Sequence, residues 1–253
     1  MLKTRVMPCL LLRGWGLVKT VKFQDPTYVG DPINTVRIYN EKEVDELIFL
    51  DITATPRGAE PPYKIISEIA TECFMPFTYG GGIRDLEVLQ RIFGLGVEKA
   101  AINTHAVENP SFIEQAADRF GSQSIVVSID VRRHLFGRYL VHTHGGRNAT
   151  DLDPADYARQ AEESGAGEIL LTSIDRDGTF AGYDIELIQK VAHTVAIPVI
   201  ACGGAGTVAD FGKAVREGGA SAVAAGSLVV YQGPNRAVLV NFPTRAALKE
   251  VLP

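Results

Sequence analysis

Short apolar runs alternate along the whole chain with stretches in which apolar residues recur every three to four positions. The runs at 5–11, 46–51, 76–80, 99–103, 124–130, 168–173, 198–202 and 221–225 predict strands, too continuous in hydrophobicity for a sheet with a wet face. Between them, Leu86, Leu89 and Phe93, and again Val208, Phe211 and Val215, mark the buried faces of helices. Pro61 and Pro62 open one helix, where a missing N–H costs little, and Asp153 with Pro154 opens another as cap and first-turn proline. Strands that each lead into a helix form a parallel sheet, and eight such units close into a (β/α)8 barrel. An open doubly wound sheet is the alternative.

An internal repeat favours closure. Residues 45–52 line up with 167–174, and Gly81 and Gly82 line up with Gly203 and Gly204, both 122 positions later. The run at 6–11 matches 125–130 at an offset of 119. One domain over 1–253, built as half-barrels of about 1–122 and 123–253, follows from this two-fold repeat. In each half a strand ends in glycines, and about twenty residues later another ends in a hydroxyl residue, Thr104 or Ser227. Bare backbone amides beside a hydroxyl at a helix start make an anion cradle, most often for phosphate. Tight turns that merely need glycine are the plainer alternative. Two cradles in register predict a long ligand with a phosphate at each end.

Barrel chemistry sits at the carboxyl ends of the strands, which here carry Leu11, Asp51, Asn103, Asp130, Thr172 with Asp175 and Asp177, and Ser227. Asp130 ends a very apolar run, so its carboxyl is expected to be desolvated, with a raised pKa suited to general acid or base work. A capping aspartate is the alternative. The turn 175–179 is expected to aim the amides of Asp177 and Gly178 at phosphate, with Asp177 either catalytic or a simple turn residue. A hairpin around Gly14 and Gly16 would carry Lys19 and Lys22 as a lid over an anionic ligand. A second hairpin at 131–143 follows strand five. His142 and His144 are expected on one face of its strand, without a third ligand for a metal. At the opposite end, Arg5, Glu46, Lys99 and Glu168 open strands one, two, four and six. Two cations and two anions at one depth form either a static plug or a ring that admits a small polar molecule.

The composition narrows the class. Of 253 residues, 46% are hydrophobic and 22% charged, and the net charge of −5 comes with no basic block, which argues against nucleic acid. Cys9, Cys73 and Cys202 lack metal or disulfide spacing and read as reduced thiols of a cytoplasmic protein. The first five residues lack a signal-peptide core, and no apolar run reaches spanning length, so no membrane partner is expected.

Several motifs together carry a resemblance. They are Pro-Cys-Leu at 8–10, Gly-Asp-Pro at 30–32, Asp-Glu-Leu at 45–47, Leu-Asp-Ile-Thr-Ala at 50–54, the glycines at 80–82 and 203–206, Ile-Asn-Thr at 102–104, Gly-Ser-Gln at 121–123 and the stretch 170–179. They closely resemble the HisF-like cyclase family of imidazole glycerol phosphate synthases over roughly 1–230. The resemblance implies a (β/α)8 TIM barrel, a lyase-type synthase subunit without cofactor or metal. It implies ammonia delivered by a separate HisH-like glutaminase docked on the N-terminal face, through a gate at Arg5, Glu46, Lys99 and Glu168. It places phosphate binding at Gly82, Asn103 and Thr104 and at Asp177, Gly178, Gly204, Gly226 and Ser227, with Lys19 on the mobile loop and Asp130 catalytic.

Three features depart from the family pattern. Leu11 stands where a second catalytic aspartate belongs, Ala101 stands where serine is usual, and 231–243 does not look like the family tail. These departures resemble paralogues found with surface-polysaccharide (lipopolysaccharide) genes. Such paralogues are thought to turn an acetamido group on a nucleotide-linked sugar into an acetamidino group. That is the expected activity here. The alternatives are the genuine cyclase of histidine biosynthesis, a lone phosphosugar isomerase, and a non-catalytic scaffold barrel.

Overall fold

The apolar runs become eight parallel strands, numbered one to eight: Arg5–Arg13, Leu47–Asp51, Phe77–Gly80, Lys99–Ile102, Ile125–Arg133, Glu168–Ser173, Val199–Cys202 and Ala222–Ala225. The computed structural model describes residues 4–233 and 235–253. Each strand pairs in parallel with the next, and strand eight returns to strand one through Arg5↔Ala222 to Pro8↔Ala225, which closes the barrel. Helices Pro32–Glu41, Tyr63–Glu72, Leu86–Gly94, Ser111–Phe120, Pro154–Glu163, Ile185–Ala192, Val208–Arg216 and Arg245–Val251 follow the strands in turn. The fold is a (β/α)8 barrel.

Side chains alternate along each strand between two cores. Outward residues such as Phe49 and Phe77, edge to face at 6.1 Å, join the helices in one apolar layer. Full burial of each such ring contributes about 1.5–3 kcal/mol. Inward residues Met7, Ile48, Val126, Leu170, Ile200 and Ala222 fill the barrel's waist. Helix starts are set by local chemistry: Asp85 Oδ1 accepts from the Val88 amide at 2.7 Å, and Asp153 Oδ1 from the Ala155 amide at 2.9 Å. Pro62 occupies the cap position before Tyr63, one place earlier than a first-turn proline.

Strands one and five outrun the apolar pattern, to Arg13 and Arg133, because each continues into a hairpin above the barrel. The first hairpin pairs Leu11↔Val18 and Arg13↔Gly16, then continues through Gln24–Gly30. The second pairs Asp130↔His142 to Arg133↔Tyr139. The two hairpins rise from equivalent strands of the two halves, at the same end of the barrel. The divergent tail forms a small hairpin, Tyr231–Gln232 with Ala237–Val238, and Arg236 lies over the Phe180 ring at 5.0 Å. Among the described residues no helix is long and apolar enough to cross a membrane.

Candidate active site

A cavity of about 490 Å³ opens at the carboxyl ends of the strands, under the two hairpins. The ionic ring lies at the far end of the barrel, outside this cavity and below the apolar waist. There Arg5 donates to Glu46 and to Glu168, both at 2.8 Å, and Lys99 Nζ lies 3.1 Å from Glu46 and 3.2 Å from Glu168. Thr78 donates a further bond to Glu46 at 2.9 Å. Each cation thus touches both anions, and the ring has no net charge. Two carboxylates in a nearly dry barrel are tolerable only with this pairing. The Arg5 and Lys99 side chains keep 28% and 16% exposure, so the ring closes the barrel end yet meets solvent.

Asp130 occupies the mouth at the end of strand five. Burial raises its carboxyl pKa from 3.8 to about 7, the negative charge of Asp177 adds to the rise, and a hydrogen bond with Thr172 offsets part of it. At neutral pH this group holds or releases a proton with almost equal ease, the condition for general acid–base work. Thr172 is Asp130's register partner on strand six. It follows the apolar Ile169 to Leu171, and its role beside Asp130 is readable only once strands five and six are known to be neighbours. Deeper, a hydrogen bond with Cys9 and burial hold the Cys202 thiol well above its ordinary pKa, so it stays protonated.

Leu11 lies across the barrel from Asp130, four strands away in either direction, buried and lining the same cavity. It pairs with Leu50 on strand two.

The two cradles differ in detail. In the second half, Gly204, Gly226, Ser227 and Lys19 line one region of the cavity. Lys19 is 4% exposed, and its ammonium sits so near strand eight that a Cβ on Gly226 would lie 2.3 Å from Nζ. No salt bridge reaches Lys19 among the described residues, and the residue lines the cavity. Gly204, at φ +112°, lets the chain pass within reach of Gly182, whose carbonyl a Cβ would meet at 2.3 Å. Lys22, by contrast, is exposed at the hairpin turn, so the structure separates the two lid lysines.

In the first half the expected bare groups already have partners. The Gly82 amide donates to Thr55 Oγ1 at 3.0 Å, and the Thr104 hydroxyl accepts the His144 amide at 2.9 Å. Asn103 Nδ2 bridges the Ser128 and His142 carbonyls at 3.0 and 3.1 Å, tying the second hairpin to strand five. All three residues still line the cavity. Asp177 corrects the expectation of a phosphate-facing amide: its N–H closes the turn onto Ser173 O at 3.0 Å. Its carboxylate accepts from Thr20 instead. Gly178 lines the cavity where a Cβ would strike Thr20 O at 2.2 Å, so the first hairpin packs directly onto this turn. Asp51 caps the turn at Thr53 and Ala54 and does no chemistry visible in the geometry.

His142 and His144 do not share a strand face. The strand ends at Thr143, and His144, at φ +54°, turns toward Glu108. His142 is buried, with its Nε2 2.9 Å from that of His134.

A closed (β/α)8 barrel with its cavity, a titratable carboxyl and a buried lysine at the carboxyl ends of the strands defines an enzyme of the barrel class. Comparison with known proteins narrows it: residues 5–234 match the family described as histidine biosynthesis protein, and the chain belongs to that family. It is 54% identical, over 96% of its length and 97% of the relative's, to a protein of Pseudomonas aeruginosa named "Putative imidazole glycerol phosphate synthase subunit hisF2". A Leptospira interrogans protein similarly named as subunit HisF is 48% identical over 97% of both chains. Imidazole glycerol phosphate synthase subunit HisF of Alkaliphilus metalliredigens is 46% identical over 91% of this chain and 92% of its own. The chain is a HisF-like, cyclase-type enzyme subunit.

Proposed function

We propose that this barrel adds ammonia, received from a HisH-like glutaminase docked on its N-terminal face, to the acetamido group of a nucleotide-linked sugar. The observation that carries this reading is Leu11, an aliphatic side chain across the mouth from Asp130, the carboxyl whose pKa burial raises to about 7. A cyclisation served by paired acid and base loses about 10²–10⁴ in rate when one partner is absent. Amidination needs less. Ammonia attacks the amide carbon, a C–N bond forms, the C–O bond breaks, and the oxygen leaves as water. Two protons pass from the incoming nitrogen to the departing oxygen, and Asp130 relays them, giving a proton to oxygen and recovering it from nitrogen each time. The ionic floor ring is the route for ammonia, and Lys19 with Gly204, Gly226 and Ser227 grips a phosphate of the substrate.

The second reading is the cyclase step of histidine biosynthesis. It is favoured by the sequence repeat of Gly82 with Thr104 at Gly204 with Ser227, although the Gly82 amide and the Thr104 hydroxyl are already bonded within the protein. Purified protein with ammonium chloride decides between them. One arm supplies nucleoside diphosphate N-acetylhexosamines, with and without ATP, and the other the ribulosyl formimino carboxamide nucleotide. Amidino product in the first arm is the expected result. Turnover in the second arm at rates ordinary for an enzyme, with none in the first, overturns the proposal.

A further inference from the structure

Leu11 is one member of a row. Register pairs run Leu11↔Leu50, Leu50↔Gly80 and Gly80↔Ala101, across strands one to four at a single depth. The second half repeats the row as Asp130↔Thr172, Thr172↔Cys202 and Cys202↔Ala224. One wall of the mouth is therefore acid, hydroxyl, thiol and methyl, and its counterpart is aliphatic throughout. Within the aliphatic row the side chains of Leu50 and Ala101 close over Gly80. A Cβ on Gly80 would meet Leu50 Cδ2 at 2.9 Å and Ala101 Cβ at 3.1 Å. Leu11 and Ala101, far apart in sequence, thus belong to one surface, and all four residues line the cavity.

We propose that Leu11, Leu50, Gly80 and Ala101 form an apolar subsite that seats the small alkyl group of an acylamino substituent, with its carbonyl carbon turned toward Asp130. The subsite deepens the sugar-amidination reading and rests on it. No side chain in the row carries a donor or acceptor, so a hydroxyl, carboxylate or phosphate placed there would lose its water and gain nothing. A methyl loses nothing and leaves water. Leu50 and Ala101 fill the space above Gly80, so the depth of the slot is set by Leu50 and Leu11. A slot of this kind discriminates roughly 10–200-fold per methylene. The polar row opposite supplies the groups that amide chemistry needs, so alkyl group and reacting carbon have one orientation only.

The test uses N-formyl, N-acetyl and N-propionyl forms of one nucleotide hexosamine with the purified protein and ammonium chloride. Wild type should prefer acetyl. Leu11→Ala and Leu50→Ala should shift the propionyl-to-acetyl ratio of kcat/KM upward by roughly tenfold or more. Ala101→Val, which fills the slot from its other side, should shift the acetyl-to-formyl ratio down. Leu11→Val is the milder variant if the alanine forms do not fold, and its ratio should move the same way by a smaller factor. Turnover of the acetyl sugar with acyl preferences unmoved by these substitutions overturns the subsite and leaves the amidination reading standing. Turnover of the ribulosyl nucleotide but of no acylamino sugar overturns both.

Discussion

Thr20, on the first hairpin, donates its hydroxyl proton to Asp177 Oδ2 at 3.0 Å, across 157 positions of sequence. The Lys22 amide donates to the carbonyl of the same Asp177 at 2.9 Å. The turn after strand six thus pins the hairpin at two points, one on its strand and one in its bend, with the side chain of Lys19 directed to strand eight. Thr20→Val keeps the shape and removes one bond from a buried carboxylate, a loss of about 1–3 kcal/mol. Thermal denaturation should show a fall of a few degrees, about 2–4 °C per kcal/mol at this size. The affinity for phosphorylated ligand should fall with it, because Lys19 loses its fixed mount. An unchanged affinity would mean the hairpin is held elsewhere.

Lys19 is 4% exposed, lines the cavity and has no salt-bridge partner among the described residues, so in the proposed site its charge is paired only when a phosphate is bound. Lys19→Met should raise the melting temperature in the absence of phosphate. Inorganic phosphate should stabilise wild type in proportion to RT ln(1 + [L]/Kd) and leave Lys19→Met almost unmoved. Equal stabilisation of both proteins by phosphate would remove Lys19 from the anion site.

Asp130 titrates at about 7 in the native barrel and near 3.8 when unfolded, so between these values the native state binds the extra proton. Stability contributed by this group therefore falls as pH rises from about 4 to 7, and the loss is complete above 7. Asp130→Asn should raise the melting temperature little at pH 5 and more at pH 8. It should abolish most of the turnover. In the pH profile of kcat/KM, the limb near 7 should move to lower pH in Asp177→Asn, which removes a neighbouring negative charge. It should move to higher pH in Thr172→Val, which removes the bond that favours the ionised form. A limb that ignores both substitutions belongs to another group.

The floor ring is neutral only as a set of four. Glu46→Ala leaves Arg5, Lys99 and Thr78 each short of a partner. Breaking a fully buried pair costs about 3–5 kcal/mol, and less is expected here because the two cations reach solvent. Melting should drop by several degrees. In the complex with glutaminase, glutamine-dependent turnover should fall further than ammonium-dependent turnover, since on the proposed route only ammonia from the glutaminase passes this end of the barrel. Equal losses would mark the ring as a plug.

Much of the fold was legible in residue order. Hydrophobic runs of strand length, separated by helical periodicity, predict all eight barrel strands, and the offsets of 119 and 122 align the halves as the register does. These properties are local, set by burial and backbone geometry over a few residues. The hairpins at 12–23 and 131–143 were legible too, but not that strands one and five run into them as single strands, because Leu12, Arg13 and 131–133 owe their extended conformation to pairing with the hairpin partners. The floor residues could be named from depth along their strands, whereas the bonds that pair each cation with both anions required the closed barrel. At the mouth, Asp130 announced itself as a charge ending an apolar run. Its proton affinity depends on Asp177 and Thr172, 47 and 42 positions away in the chain. The sequence alone determined which groups are present and at what depth, since alternation along a strand dictates both. Which of them touch was decided by barrel closure: it brought Thr20 to Asp177 and Lys19 to Gly226, gathered Leu11 with Ala101, and occupied the amides of Gly82 and Asp177, because hydrogen bonds and charge pairs act over a few ångströms of space and are blind to distance along the chain.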